Sequence, residues 1–465
     1  MNSPTLEEAK KISDPGERIR FLADADDWVG KFAWRVLSQS FVYAAHRIGE
    51  ICRSPLEIDR ALRWGYNWEI GLFEIWDAMG VERTVRRLEK DGLAVPNPVH
   101  AMLRAGRKSF YEPLASPPTV FELSTGTIAW TEDPIKTVNI PVIKKLHGRI
   151  EGNDDASLID IGDGVRCLEF HTKMNTLGPG VVEMLERALD RSDADGAPLV
   201  IGGPAANFSA GANLQRLLDL ARKKDWKSLD RRLQSAVVRL QRSALPVVAA
   251  PAGLALGGGA EIVLRSPRVQ AYRETSMGLV ELRVGLIPGA GGTTEMLKRA
   301  LGTAADPVDA WPLVKGVFDL IRDSRVSTAA EEATRMGFLK PTDRISVSRL
   351  RHLEDAKLAA IELASEGPPR VFGEPQVLCL GADALARLKV GLHLAREGGY
   401  ITDYDVVVGG KLAWILCGGD LVAPKVMPEQ YLLDLEREAF LSLLGDDRTQ
   451  ARMEHLLKTG KPLRN

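Results

Sequence analysis

Three short segments of this 465-residue chain carry residue types that can do chemistry together. The first is Asn-Phe-Ser-Ala-Gly-Ala-Asn over Asn207–Asn213, and the second is Ala-Leu-Gly-Gly-Gly-Ala-Glu over Ala255–Glu261. The third runs from Glu281 through Pro288-Gly289-Ala290-Gly291-Gly292. The first two read as small-residue loops entering helices. Without bulky side chains, backbone N–H groups can approach a ligand closely, and the helix N-terminus that follows adds positive potential. Two such loops can aim two N–H groups at one developing oxyanion, each worth about 3–4 kcal/mol of transition-state stabilisation. Glu261 and Glu281 arrive from separate segments, and two carboxylates beside an oxyanion site suit acid–base work on a bound water. Taken singly, a Gly-Gly-Gly run is a tight turn and a glutamate after it is a solvated helix start. The three segments together, in this order, point to a site.

The elements that must position them alternate. From about Ala156, Val165–Phe170 reads as a short apolar strand, and Gly178-Pro179 opens a helix running to about Asp190. Pro198–Gly202 and Pro246–Ala250 read as buried strands, with a helix over Trp226–Ser243 between them, and Glu429 to about Lys458 is helical. This is an α/β pattern without a visible internal repeat. Residues 1–111 differ in texture and read as an all-α bundle. Trp28–Glu50 carries Phe32, Val36, Leu37, Phe41, Ala44 and Ile48 at helical spacing, as one apolar face. Ser54-Pro55 with Glu57 forms a capping-box signature. Helices over Glu69–Met79 and Val81–Asp91 stop at Gly80 and Gly92, and Asn97-Pro98 opens another. Residues 112–155 read as a Pro-rich linker with a small hairpin of Thr119–Leu123 and Thr127–Thr131. The expected domains are thus 1–111, 112–155 and 156–465.

Composition narrows the function classes. The formal net charge of −1 leaves no basic stripe for nucleic acid. Cys52, Cys167, Cys379 and Cys417 lack metal-ligand or redox spacing and read as reduced thiols. The histidines show no ligand pairing, so no metal is expected. Met1–Lys10 lacks the basic and apolar regions of a signal peptide, and Val247–Gly259 is too short and glycine-rich to span a membrane. A cytoplasmic protein with no membrane association is expected. Trp28, Trp34, Trp64, Trp68 and Trp76 crowd the first region. Core packing is the first reading of them, and a partner-docking face the second.

All three chemical segments resemble the crotonase (enoyl-CoA hydratase/isomerase) superfamily, over about Ala156 to the C-terminus. The resemblance implies an α/β spiral fold and an acyl-CoA substrate, with coenzyme A present only as part of that substrate and no permanently bound cofactor. It implies oxyanion N–H groups from Ala212 and Gly258, the two hydratase carboxylates at Glu261 and Glu281, and backbone help in holding the water at Gly289. It places the adenine pocket at Ala210 and Leu214. Asn213 departs from the family's usual Asp, but it can cap the following helix equally well. Lys173-Met174-Asn175-Thr176 resembles the family's early substrate-side loop, where Lys173 reads either as a CoA contact or as a solvated lysine. Lys458 and Lys461 lie where many members place cations near the CoA phosphates, and they also read as solvated terminal lysines.

Ser54–Tyr66 followed by Gly71–Asp77 resembles the C-terminal helical domain of 3-hydroxyacyl-CoA dehydrogenases. No strand–Gly-x-Gly-x-x-Gly–helix occurs, so neither an NAD site nor dehydrogenase activity is expected from this chain alone. The arrangement resembles the back half of a fused bacterial dehydrogenase/hydratase. The expected activity is hydration of trans-2-enoyl-CoA in fatty-acid β-oxidation, by a homo-oligomer or a chain docked to a dehydrogenase subunit. Two alternatives remain: a Δ3,Δ2-enoyl-CoA isomerase, which needs one carboxylate, and a non-catalytic CoA-thioester-binding or docking subunit.

Overall fold

A computed structural model describes residues 3–12, 14–112, 119–130, 136–225, 232–243, 245–302, 304, 306–367 and 373–465. The chain divides into two compact units, Met1–Pro134 and Ile135–Asn465.

The first unit is built on the helices Pro15–Asp24, Trp28–Arg47, Pro55–Tyr66, Leu72–Met79, Val81–Lys90 and Asn97–Arg104. The capping box at Ser54 and Glu57 forms as the sequence predicts. The helix expected from Glu69 begins only at Leu72, because Asp59 reaches across to accept the N–H groups of Phe73 (2.9 Å) and Glu74 (3.0 Å). A Cβ at Gly71 would lie 2.2 Å from the Asp59 side chain, so only glycine permits that approach. The core stacks Phe41 on Trp76, with ring centroids 4.8 Å apart, and sets Phe73 edge-on to Phe110 at 5.0 Å. The apolar face expected on Trp28–Glu50, which is helical to Arg47, is divided: Phe41 and Ala44 are buried, whereas Phe32 and Val36 are exposed. Among the tryptophans Trp34 and Trp76 lie in the core, and Trp28, Trp64 and Trp68 lie outside it. The hairpin Thr119–Glu122/Thr127–Trp130 belongs to this unit, and Phe121 and Leu123 join its core. Thr131 falls outside the described residues.

The second unit opens with a helix, Ile140–His147, inside the stretch that reads as a Pro-rich linker. Its main sheet has seven strands. In spatial order they are Arg344–Ser346, Arg268–Tyr272, Val247–Ala249, Leu199–Ile201, Arg166–Phe170, Ala156–Asp160 and Glu151–Gly152. The last two pairings along this order are antiparallel and the other four parallel. Alternate residues serve the two faces. Leu168, Leu199, Ile201 and Val247 face the larger core, which includes Val181 and Leu185. Cys167, Val200 and Val248 pack with Leu353 and Ala356 of helix His352–Glu366. Burial on both faces explains the continuous apolar runs of these strands.

Along the chain the same unit recurs. A strand of the main sheet is followed by a short second-layer segment and then by a helix. Arg166–Phe170 leads through Leu177 to helix Pro179–Asp195, and Leu199–Ile201 leads through Ser209–Ala212 to Leu214–Lys223. Val247–Ala249 leads through Gly253–Leu256 to Gly258–Arg265. Arg268–Tyr272 leads through Thr275–Gly278 to the 3-10 turn Glu281–Val284. The second layer is tied together by the bridges Leu177–Ala212 and Ser209–Ala255 and by the parallel pair Gly253–Leu256/Thr275–Gly278. The result is an α/β spiral. Of the helix expected over Trp226–Ser243, residues 226–231 lie outside the described residues and Arg232–Arg242 is helical.

Candidate active site

The chemical residues fall at equivalent points of successive turns, where the second layer gives way to a helix. The Leu177 N–H donates to Gly211 O (2.8 Å), and Leu177 O accepts from the Asn213 N–H (3.0 Å). The Ala212 N–H between them is outside this ladder. Gly258 is the first residue of its helix, so its N–H has no intrahelical acceptor. The two segments run unusually close. A Cβ on Gly211, whose φ is +93°, would lie 2.9 Å from Leu256 O and 3.5 Å from the Gly258 nitrogen. A Cβ on Gly258 would lie 3.9 Å from the Ala212 nitrogen and 3.8 Å from Glu261 Oε2. Asn213 Oδ1 accepts the Arg216 N–H at 3.1 Å and caps helix Leu214–Lys223, the part expected of it.

Glu261 is buried one turn into helix Gly258–Arg265. Its Oε1 accepts the N–H groups of Ala290 (2.7 Å) and Gly292 (2.8 Å). Burial raises its pKa, opposed by those two bonds and by the positive charge of Arg265. Glu281 opens the 3-10 turn, with Oε1 3.0 Å from where a Cβ on Gly257 would stand. Its Oε2 is buried without a hydrogen-bond partner among the described residues. Burial, and then the neighbouring charge of Glu261, raise its pKa well above the ordinary range. Two carboxyl groups, both raised by burial, thus meet beside the Gly257–Gly258 junction and differ in what surrounds them. Glu261 has partners that favour the anion, and Glu281 has an environment that favours the acid.

Gly289 begins the turn that supplies the N–H groups to Glu261, and the Phe440 ring would lie 2.8 Å from a Cβ there. Ala210 is tied to the substrate-side loop by its N–H bond to Met174 O (3.1 Å). In that loop Lys173 is exposed, and Met174 and Asn175 adopt positive φ. Leu214 is the first residue of its helix and is part-buried against the core. Helix Asp447–Thr459 packs along the Leu214 helix, joined to it by Arg222–Glu454 at 2.6 Å. Lys458 pairs with Glu454 at 2.7 Å, and Lys461 is exposed beyond the helix end. The structure therefore brings Ala212, Gly258, Glu261, Glu281 and the Gly289 turn together, and it leaves Lys173, Lys458 and Lys461 on the surface.

Two further charged residues line the back of the site, and sequence reasoning passes over both. Glu436, fully buried on helix Glu429–Leu444, accepts the Gly291 N–H (2.5 Å) and the Thr294 N–H (3.2 Å). Burial, and then Glu261, push its carboxyl up to about 8. Arg265, also fully buried, donates to Gly291 O (3.1 Å) and Glu429 (2.6 Å). The available signal for Glu436 is a glutamate on the apolar stripe of Leu432, Leu433, Leu435 and Ala439. Among the described residues no group of three or more His, Cys, Asp or Glu could hold a metal ion. No helix of the described residues is long and apolar enough to cross a membrane.

Comparison with known proteins adds the kinship. Residues 160–307 match the model of the enoyl-CoA hydratase/isomerase family. A Bacillus subtilis protein named "Probable 3-hydroxyacyl-CoA dehydrogenase" is 39% identical over the whole of this chain and 59% of its own length. The fatty acid oxidation complex subunit alpha of Shewanella loihica is 29% identical over 42% of this chain and 28% of its own. The chain spans 41–59% of the length of the three relatives matched over most of it. Among solved structures, an enoyl-CoA hydratase from Bacillus halodurans is 19% identical, covering 65% of this chain and all of its own at a TM-score of 0.44. The spiral unit therefore carries, over residues 160–307, a crotonase domain of the enoyl-CoA hydratase/isomerase family, in a chain related to fatty-acid oxidation enzymes.

Proposed function

We propose that this chain adds water to trans-2-enoyl-CoA thioesters. The observation that carries the reading is the pair of buried carboxyls, Glu261 and Glu281, beside the Gly257–Gly258 junction and the Ala212 N–H. In this reading the thioester oxygen accepts from the N–H groups of Ala212 and Gly258. Glu261, the carboxylate with two N–H donors and Arg265 at hand, takes a proton from water as the water oxygen bonds to the β-carbon. The π electrons move toward the thioester, and the enolate charge rests on its oxygen, where the two N–H groups stabilise it. Glu281, held in its acid form, gives its proton to the α-carbon. The sum is one water added, with the two carboxyls having exchanged protonation states.

Isomerisation between the Δ3 and Δ2 positions needs one proton-shuttling carboxylate. The presence of both favours hydration as the principal activity. Ala210 and Leu214 stand at the adenine end of the proposed substrate, and Lys173 is the proposed cationic contact. All four cysteines are free thiols, which suits a reducing cytoplasm. Dehydrogenase chemistry is outside the proposal. Trp28, Phe32, Val36 and Tyr43 are exposed along helix Trp28–Arg47 and form a docking face for a dehydrogenase polypeptide. The Bacillus subtilis relative, named as a dehydrogenase, has length outside the match for such a part. The activity is tested by mixing purified chain with crotonyl-CoA and longer enoyl-CoAs. Formation of the 3-hydroxyacyl-CoA supports the reading, and folded protein inert toward every chain length refutes it.

A further inference from the structure

The amide hydrogens of one turn are divided between two carboxyl groups. Ala290 and Gly292 donate to Glu261 Oε1, at 2.7 and 2.8 Å. Gly291 donates to Glu436 Oε1 at 2.5 Å, and Thr294 donates to Glu436 Oε2 through its N–H at 3.2 Å and its hydroxyl at 3.3 Å. Arg265 holds the carbonyl of Gly291 from behind at 3.1 Å. Gly291 itself sits at φ +99°, a conformation that glycine reaches without steric cost and other residues rarely adopt. Glu436 and Phe440 lie four residues apart on helix Glu429–Leu444 and share one face of it. Phe440 packs on Gly289, and Glu436 takes the next peptides, so a single helix face grips the turn from Gly289 to Thr294.

We propose that Glu436 is a positioning residue, which anchors this turn so that its alternate N–H groups hold the Glu261 carboxylate in place. The proposal deepens the hydratase reading and rests on it for its kinetic consequence. Glu436 takes no part in the proton transfers. Its effect passes through the Ala290 and Gly292 N–H groups, which cannot be presented to Glu261 once the Gly291 peptide is free to turn over. A displacement of about 1 Å at a catalytic group can cost about 10²-fold in rate. The residue comes from a helix more than a hundred positions along the chain, so the C-terminal helices complete the site rather than merely covering it.

The test compares Glu436→Ala and Glu436→Gln in the full chain, alone and combined with Glu261→Gln. Hydrogen exchange is read over residues 288–294, and crotonyl-CoA hydration gives kcat and KM separately. Glu436→Ala is expected to speed exchange in the turn and to lower kcat by about 10²-fold, with KM within about twofold. Glu436→Gln keeps one acceptor oxygen and is expected to recover part of the loss, and it serves if the alanine variant does not fold. Added to Glu261→Gln, the alanine change should cost little more, because residues acting as one unit are not additive. A general packing defect would instead multiply the two losses. Unchanged exchange in the turn, or multiplied losses, overturns the proposal. Faster exchange in a chain whose wild type hydrates nothing upholds the anchoring and sinks the hydratase reading, so the two failures are distinguishable.

Discussion

Replacing Glu261 with glutamine removes a charge and leaves a hydrogen-bonding frame. The amide oxygen of the new side chain can still accept the N–H groups of Ala290 and Gly292, which now meet Glu261 Oε1 at 2.7 and 2.8 Å. The turn should therefore stay in place and the fold should be kept. What is lost is the base. An acid–base group contributes about 10²–10⁴-fold, which at 1.36 kcal/mol per tenfold is about 3–5 kcal/mol of barrier. That loss should fall on kcat, since in the proposed mechanism Glu261 acts on the water and not on the CoA. A second consequence concerns pH. The charge of Glu261 is, after burial, the main cause of the raised pKa of Glu281. Glu281 must be protonated to act, so the rate falls as pH rises through its pKa. Removing the neighbouring charge lowers that pKa, and the basic limb of the residual rate should move to lower pH. The assay follows loss of the enoyl thioester absorbance across pH, beside Δ3,Δ2 isomerisation, which should suffer less. A variant within tenfold of wild type, a basic limb that does not move down, or equal loss of both reactions would rule out these roles for Glu261 and Glu281.

Gly258→Ala places a methyl 3.0 Å from Leu177 Cδ1 and 3.9 Å from the Ala212 nitrogen, at a backbone position that tolerates alanine. It should melt near wild type yet lose about 10²–10³-fold in kcat/KM, and unimpaired turnover would remove Gly258 from the site. Asp59→Ala strips partners from Phe73, Glu74 and the Tyr111 hydroxyl, at 2.9, 3.0 and 2.8 Å. Urea unfolding should show a loss of about 2–4 kcal/mol in the first unit. Burial raises the Asp59 carboxyl from 3.8 to about 6, so the folded state holds the proton more tightly. Its contribution to stability is therefore full below pH 3.8 and declines as pH rises toward about 6; the alanine variant should lack that decline, and an unchanged slope would contradict the assignment. Replacing Trp28 and Phe32 with serine should leave hydration unchanged and weaken binding of a 3-hydroxyacyl-CoA dehydrogenase polypeptide by more than about tenfold in calorimetry, and undiminished binding counts against the docking face.

The part of the site that is local in sequence was legible. Small residues that let backbone approach mark the two loops, and Glu261 and Glu281 stand out beside them, whereas the choice of Ala212 and Gly258 within the loops came from the family resemblance. Their meeting depends on second-layer pairing among Leu177, Ala212, Ser209 and Ala255, which no single segment encodes. The spiral was expected only through the family resemblance, because its turns share backbone path and not residues. Glu436 escaped for another reason. A glutamate on an apolar helical stripe carries no sign of which peptide it will meet, and its partner Gly291 lies 145 positions away. Helix Ile140–His147 was hidden by Pro141, yet proline is well tolerated in a first turn, and Asn139 caps the Val142 N–H at 3.2 Å. The apolar spacing on Trp28–Arg47 predicted the helix but not how much of its face would be covered.

Hydration is read out by incubating the purified chain with a series of trans-2-enoyl-CoAs in water enriched in heavy oxygen and measuring the mass of the products. The expected product is 3-hydroxyacyl-CoA carrying one heavy oxygen at the β-carbon, formed by the wild type and reduced by about 10²–10⁴-fold in both Glu261→Gln and Glu281→Gln. Unlabelled, unchanged thioester at every chain length, from protein shown to be folded, would contradict it.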